Sequence, residues 1–108
     1  MTNKVLYHQG EEIGLRTEAR VGGLSLQDDR LVIRGEAEVS IALESLRSVE
    51  LFRLHGTGRM LKVIHEGGTL FVSVIRFSLF GLFAVVNSFG TRRLHDELQA
   101  AILDRHGG

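Results

Sequence analysis

The segment Gly22-Gly23-Leu24-Ser25-Leu26-Gln27-Asp28-Asp29-Arg30-Leu31-Val32-Ile33-Arg34-Gly35 decides the fold class. Leu24 and Leu26 alternate before the Asp28-Asp29 pair, and Leu31 and Ile33 alternate after it. Side chains two apart on a strand share a face, so this pattern predicts a β-hairpin buried on one side. The two aspartates read as turn formers, because a short carboxylate bonds nearby backbone amides, and they carry no catalytic role.

Outward from the hairpin, the same period recurs. Val39, Ile41 and Leu43 alternate in Glu38 to Leu43, a half-buried strand. Leu46 to Leu54 places Val49 and Leu51 on one face and Glu50 and Phe52 on the other. Met60 to His65 resumes the alternation beyond the loop His55-Gly56-Thr57-Gly58, whose glycines suit a hairpin turn. Beyond Glu66-Gly67-Gly68, the run Thr69 to Phe77 is β-branched and aromatic enough for a central strand. Glu11 to Arg20 reads as the first long strand, with Ile13 and Leu15 on one face. Leu79 to Val86 is continuously apolar, which fits a buried strand or a short buried helix, and the reading leans to a strand near Phe83 to Val86. Only after Asn87-Ser88-Phe89-Gly90 does the period change: Leu94, Leu98 and Ile102 form one helical stripe, and Thr91 is a candidate N-cap for a helix over 91–106.

Length and composition narrow the function classes. A chain of 108 residues makes a single domain, 1–108, able to bury about two thirds of its unfolded surface. With no cysteine, disulfides, thiolate nucleophiles and cysteine-ligated metals are excluded. The start, Met1 to His8, shows no secretory signal, which suits a cytoplasmic protein. Leu70 to Val86 is too short and too polar at Arg76 for a transmembrane span.

Net charge is zero but unevenly spread. Between Leu51 and His95 stand Arg53, Arg59, Lys62, Arg76, Arg92 and Arg93 against Glu66 alone. This local surplus favours anionic partners if the side chains share a face. The segment Arg53 to Arg59 is the candidate anion site, with Arg53, His55, Arg59 and Lys62 as its groups. It is no P-loop, since the Lys-Ser/Thr pair and following helix are missing. The histidines His8, His55, His65, His95 and His106 form no metal-ligand spacing and read as solvated surface groups. His65-Glu66 and His95-Asp96 are neighbours expected to diverge rather than pair. No cofactor is implied.

Four of six phenylalanines fall within residues 77–89. If the middle of this segment is a loop, Phe77, Leu79, Phe80, Leu82 and Phe83 must enter the core, a protein interface or a membrane surface. Phe80 and Phe83 would anchor an interface.

Gly23-Leu24-Ser25-Leu26-Gln27-Asp28-Asp29-Arg30-Leu31-Val32-Ile33 resembles the "G-x-L-x-L-T-x-x-R-L-V-F" strand pair of the GRAM and bacterial PH-like domains. Ser40 to Glu50 is similar to their "S-I-P-L-x-x-I-x-S-V-E" segment, with Ala42 in place of Pro and Gln27 in place of Thr above. Asn87 and Thr91 to Leu98 resemble the closing strand-to-helix junction, so the resemblance covers about residues 11–105. It implies a mainly β fold of about seven strands, a PH-like partly open barrel of two packed antiparallel sheets capped by the helix. It also implies a non-catalytic interaction or scaffold module that binds a protein partner or itself. The alternative is a peripheral membrane or anionic-ligand module that holds lipid headgroups at the inner membrane face. Neither reading involves nucleic acid. The lysine and arginine cluster that phosphoinositide-binding members carry between their first two strands has no counterpart near Arg20 to Gly23.

Overall fold

In a computed structural model the described residues are 2–10, 20–35, 38–53, 59–78, 83–86 and 88–106. They form strands β1 (Thr2–Gln9), β2 (Arg20–Gln27), β3 (Arg30–Gly35) and β4 (Val39–Ala42), then a 3₁₀ turn (Leu43–Ser45). Strands β5 (Leu46–Arg53), β6 (Arg59–His65), β7 (Gly68–Ser78) and β8 (Phe83–Val86) follow, and helix α1 (Ser88–His106) closes the order. The protein is mainly β with one C-terminal helix.

Antiparallel pairing joins seven strands in one path, β4-β3-β2-β1-β7-β6-β5, and β8 adds to the far end of β7 through Ile75↔Val86 to Ser78↔Phe83. The barrel is not closed, because β4 and β5 are the ends of the path. All seven strands thus belong to one continuous ladder.

One buried cluster draws on every strand from β1 to β7 and on the helix. Its members include Val5 and Tyr7, Leu24, Leu31 and Ile33, Val39 and Ile41, Leu46 and Val49, Leu61 and Val63, Leu70 and Val72. Residues on strands so far apart in the ladder meet only because the sheet bends round a common interior. Leu94, Leu98 and Ile102 complete that interior from the helix. At about 1.5–3 kcal/mol for each large aliphatic side chain removed from water, this stripe is a main reason the helix docks.

Two local devices explain details of the pattern. Leu46 and Val49 are an odd number of residues apart yet both point inward. A register shift between Leu46 and Ser48 in the pairing with β6 absorbs the extra residue, as a β-bulge does. Gly22 and Gly35 face each other across β2 and β3, beneath Tyr7. A β-carbon on Gly22 would lie 2.9 Å from the Arg34 carbonyl oxygen, the Ile33 side chain and the Tyr7 ring; on Gly35 it would lie 2.8 Å from the Val21 carbonyl oxygen. The glycines that bracket the opening hairpin therefore make a seat for an aromatic ring.

Several expectations need correction. The N-terminal residues form a strand at the middle of the ladder, between β2 and β7, with Val5 and Tyr7 buried. The first strand expected over Glu11 to Arg20 lies, apart from Arg20, outside the described residues. The helix begins at Ser88 rather than Thr91. Thr91 is fully buried within its early turns, and Thr91 Oγ1 accepts a 3.0 Å hydrogen bond from the Val74 amide. That bond ties the helix to β7 past the last rung that β6 supplies, Leu61↔Val72. β7 is buried on both faces, Leu70, Val72 and Val74 inward and Phe71, Ser73 and Ile75 outward, as its β-branched composition led us to expect of a central strand.

Among the described residues no helix is long and apolar enough to cross a membrane.

Candidate functional site: a cationic groove beside an end strand

Strand β5 and strand β6 end level with one another, with Arg53 paired to Arg59 in the last rung. Alternation fixes which way these side chains turn. Val49 and Leu51 on β5, and Leu61 and Val63 on β6, belong to or pack against the core, so Arg53 and Arg59, two residues further along each strand, share that face. They emerge where the core ends. Helix α1 crosses the same place and contributes Arg92, His95 and Asp96. Together with Leu51 and Phe52 these residues line an open groove of about 440 Å³.

The electrostatics of the groove are one-sided. Arg53, Arg59 and Arg92 form no ion pair among the described residues, although ion pairs elsewhere take up Arg34, Arg47, Arg93 and Arg105. Like charges in directly opposed strand positions repel, so the Arg53↔Arg59 rung is locally unfavourable. The first turn of α1 carries no acidic residue to offset a cation near its start. Asp96 is the single carboxylate lining the groove, and it is engaged: His95 Nδ1 lies 3.0 Å from Asp96 Oδ1. With the carboxylate as acceptor, His95 donates from Nδ1 and keeps Nε2 as its second hydrogen-bonding atom.

Both walls are fixed from behind. Buried Ser73 donates from Oγ to the Arg59 carbonyl oxygen at 2.7 Å, which holds the first residue of β6. The Thr91 bond to Val74 holds the helix one residue before Arg92. The backbone positions of the cations are therefore set by the fold, while their side chains reach into solvent.

The structure thus brings together Arg53 and Arg59 of the expected anion site and separates Lys62 from them. Lys62 stands opposite Glu50 on the other face of the β5–β6 pair, because it is an odd number of residues from Arg59. His55 lies outside the described residues. Arg92 and His95 are the groups that the sequence reading left out of the site. Their spacing, three apart on a helix, puts them on one flank beside the Leu94 and Leu98 stripe, and that was the available signal.

The histidines also need correction. His95 pairs with Asp96 rather than diverging from it. His8, His65 and His95 are partly buried at the surface. His8 stacks on Phe71 with ring centres 6.4 Å apart, and Phe52 meets the same ring edge-on. His65 Nδ1 accepts the Gly67 amide at 3.2 Å in the β6–β7 turn, and burial lowers its pKa. Of the phenylalanine-rich segment, Phe77 lies in β7 and Phe83 in β8, paired as neighbours of the Phe77↔Ala84 and Ser78↔Phe83 rungs. Leu79, Phe80 and Leu82 lie outside the described residues.

No protein-family model and no curated protein sequence matches the chain.

Proposed function

We propose that the protein is a non-catalytic binding module of PH-like build, which holds an anionic group in the groove between β5, β6 and the first half of α1. One observation carries this reading: three guanidinium groups without a carboxylate partner among the described residues line a single open groove. Arginine suits such a task because its planar fork presents paired N–H donors to an oxyanion and keeps its charge at any physiological pH. The order of elements, seven strands in a bent ladder and then one helix over the interior, supports the PH-like resemblance. Of the expected protein-binding surface at Phe77 to Phe83, the anchor Phe80 and its neighbours Leu79 and Leu82 lie outside the described residues, so it carries no comparable support. A module of this kind works in the cytoplasm, on dissolved anions or at the inner membrane face.

The test is residue-resolved. Titrating inorganic phosphate into labelled protein shifts the amide resonances of Arg53, Arg59, Arg92 and His95 while those around Asp29 stay still. The Arg53→Gln/Arg59→Gln double variant abolishes the shifts. Shifts spread evenly over all arginines, or none at the groove, sink the reading.

A further inference from the structure

We infer that the groove takes up its anion together with a proton on His95, so that acidification tightens binding; this names the regulation of the anion site and rests on that reading. Arg53, Arg59 and Arg92 line the groove with charges that do not vary at any physiological pH. Histidine is the side-chain type that gains and loses charge between about pH 5 and about pH 8. Among the described residues His95 is the one histidine lining the groove. An anion held there meets either a neutral ring or a cation, according to pH.

The pairing with Asp96 decides which atom changes. His95 Nδ1 lies 3.0 Å from Asp96 Oδ1, and an ionised carboxylate only accepts, so this nitrogen carries its proton whether the ring is neutral or charged. The titrating proton therefore belongs to Nε2. In the neutral ring Nε2 offers a lone pair, which an oxyanion cannot use; in the imidazolium it is an N–H donor. Charge and hydrogen-bonding capacity thus change together, both in favour of an anion.

The charged groups around the ring come from each element that lines the groove: Arg53 from β5, Arg59 from β6, Arg92 and Asp96 from α1. Asp96 does not cancel the gain. Its side chain is 70% exposed against 25% for His95, so water and salt screen the carboxylate more than the imidazole. A bound anion adds a negative charge to this set and favours the charged ring. By linkage, the charged ring favours the anion by the same factor.

Calorimetric titration of the full chain with sodium sulfate at constant ionic strength tests the inference, because sulfate stays a dianion through this range and its own protonation adds nothing. Between about pH 8 and about pH 5.5 the affinity rises about fivefold or more, and the binding heat varies with the ionisation enthalpy of the buffer, which reveals proton uptake. The Arg53→Gln/Arg59→Gln double variant abolishes binding at both ends of the range. His95→Gln flattens the pH profile and removes the proton uptake with the circular dichroism spectrum unchanged, while His65→Gln keeps both. In the wild type, where no substitution can disturb folding, sulfate moves the titration of the His95 ring-proton resonances to higher pH. Arginine-dependent binding with a flat pH profile, a slope that persists in His95→Gln, or a His95 titration that sulfate leaves in place overturns the inference while leaving an anion site. Absence of arginine-dependent binding at every pH overturns both readings.

Discussion

Helix α1 has an arginine near each end, and the two meet opposite surroundings. At the C-terminal end Arg105 Nη2 lies 3.1 Å from Asp29 Oδ1 in the β2–β3 turn, although the two are 76 residues apart. The same turn gives its Asp29 carbonyl oxygen to the Leu43 amide at 2.8 Å. Beside it, the β6–β7 turn pairs Glu66 with Arg47 and donates the Glu66 amide to the Ser45 carbonyl oxygen. Charges at this pole of the sheet find opposite charges. At the other pole Arg92 lines one groove with Arg53 and Arg59, and among the described residues the one carboxylate lining it, Asp96, is held by His95. Where the fold uses charge for its own assembly, it supplies both partners, and three arginines without a carboxylate partner among the described residues are left for something that is not part of the chain.

The largest effect comes from the packing beneath both poles. Leu98 is fully buried midway along the helix, and Leu98→Ala should lower the unfolding free energy by about 2–5 kcal/mol in denaturant titrations. Because it loosens the helix at both ends, it should also weaken phosphate binding at the groove. Retained stability would mean that the helix is an accessory rather than part of the core. Next is the seat of Tyr7. Gly22→Ala forces a methyl group to within 2.9 Å of backbone and ring, and overpacking of this kind costs about 1–3 kcal/mol. Gly22 lies on β2, separated from β6 in the ladder by β1 and β7, so phosphate affinity in the groove should hardly change while the protein stays folded.

How much of this was legible in the sequence depends on how local the physics is. The hairpin Leu24 to Ile33, the strands β5 and β6 and the helix stripe obey short periods and follow from periodicity alone, whereas β7 was read from its β-branched and aromatic composition and β8 sat in an apolar run that fitted strand or helix. The strand β1 did not announce itself, because Val5 and Tyr7 are only two inward residues flanked by Lys4, Leu6 and His8, and its burial is conferred by β2 and β7 on either side. The groove was half legible. Arg53 and Arg59 flank a turn and so belong together, whereas Arg92 and His95 reach them only after the chain has run through β6, β7 and β8. Lys62 was misjudged through strand parity, which sends it to the face opposite Arg59. The Asp29 to Arg105 pair, likewise, is a product of tertiary closure that no local pattern contains.

A smaller effect separates the poles by pH. At the paired pole, burial lowers the His65 pKa, and its Nδ1 must be free of a proton to accept the Gly67 amide. The unfolded chain therefore binds this proton first as pH falls below the ordinary histidine value of about 6.5, and stability declines from there downward. Above that value both states are neutral and the contribution is fully present. Unfolding midpoints of wild type and His65→Asn, compared on either side of this value, should show the steeper acid loss in wild type. Parallel slopes would assign the acid sensitivity to another group.

The smallest effect is the most pointed, because the two poles predict opposite signs for the same chemical change. Arg105→Gln removes an exposed ion pair and should lower stability by no more than about 1 kcal/mol. Arg59→Gln removes one member of a like-charged rung and should raise stability by a few tenths, about 0.2–1 kcal/mol. Added salt should shrink both differences, since it screens attraction and repulsion alike. Phosphate should act on one side only: it raises the wild-type midpoint and leaves Arg59→Gln nearly unmoved, so that the order of the two proteins reverses once the anion is present. If Arg59→Gln instead destabilises the protein in the absence of any anion, then Arg59 serves the fold as Arg105 does, and the contrast between the two poles fails.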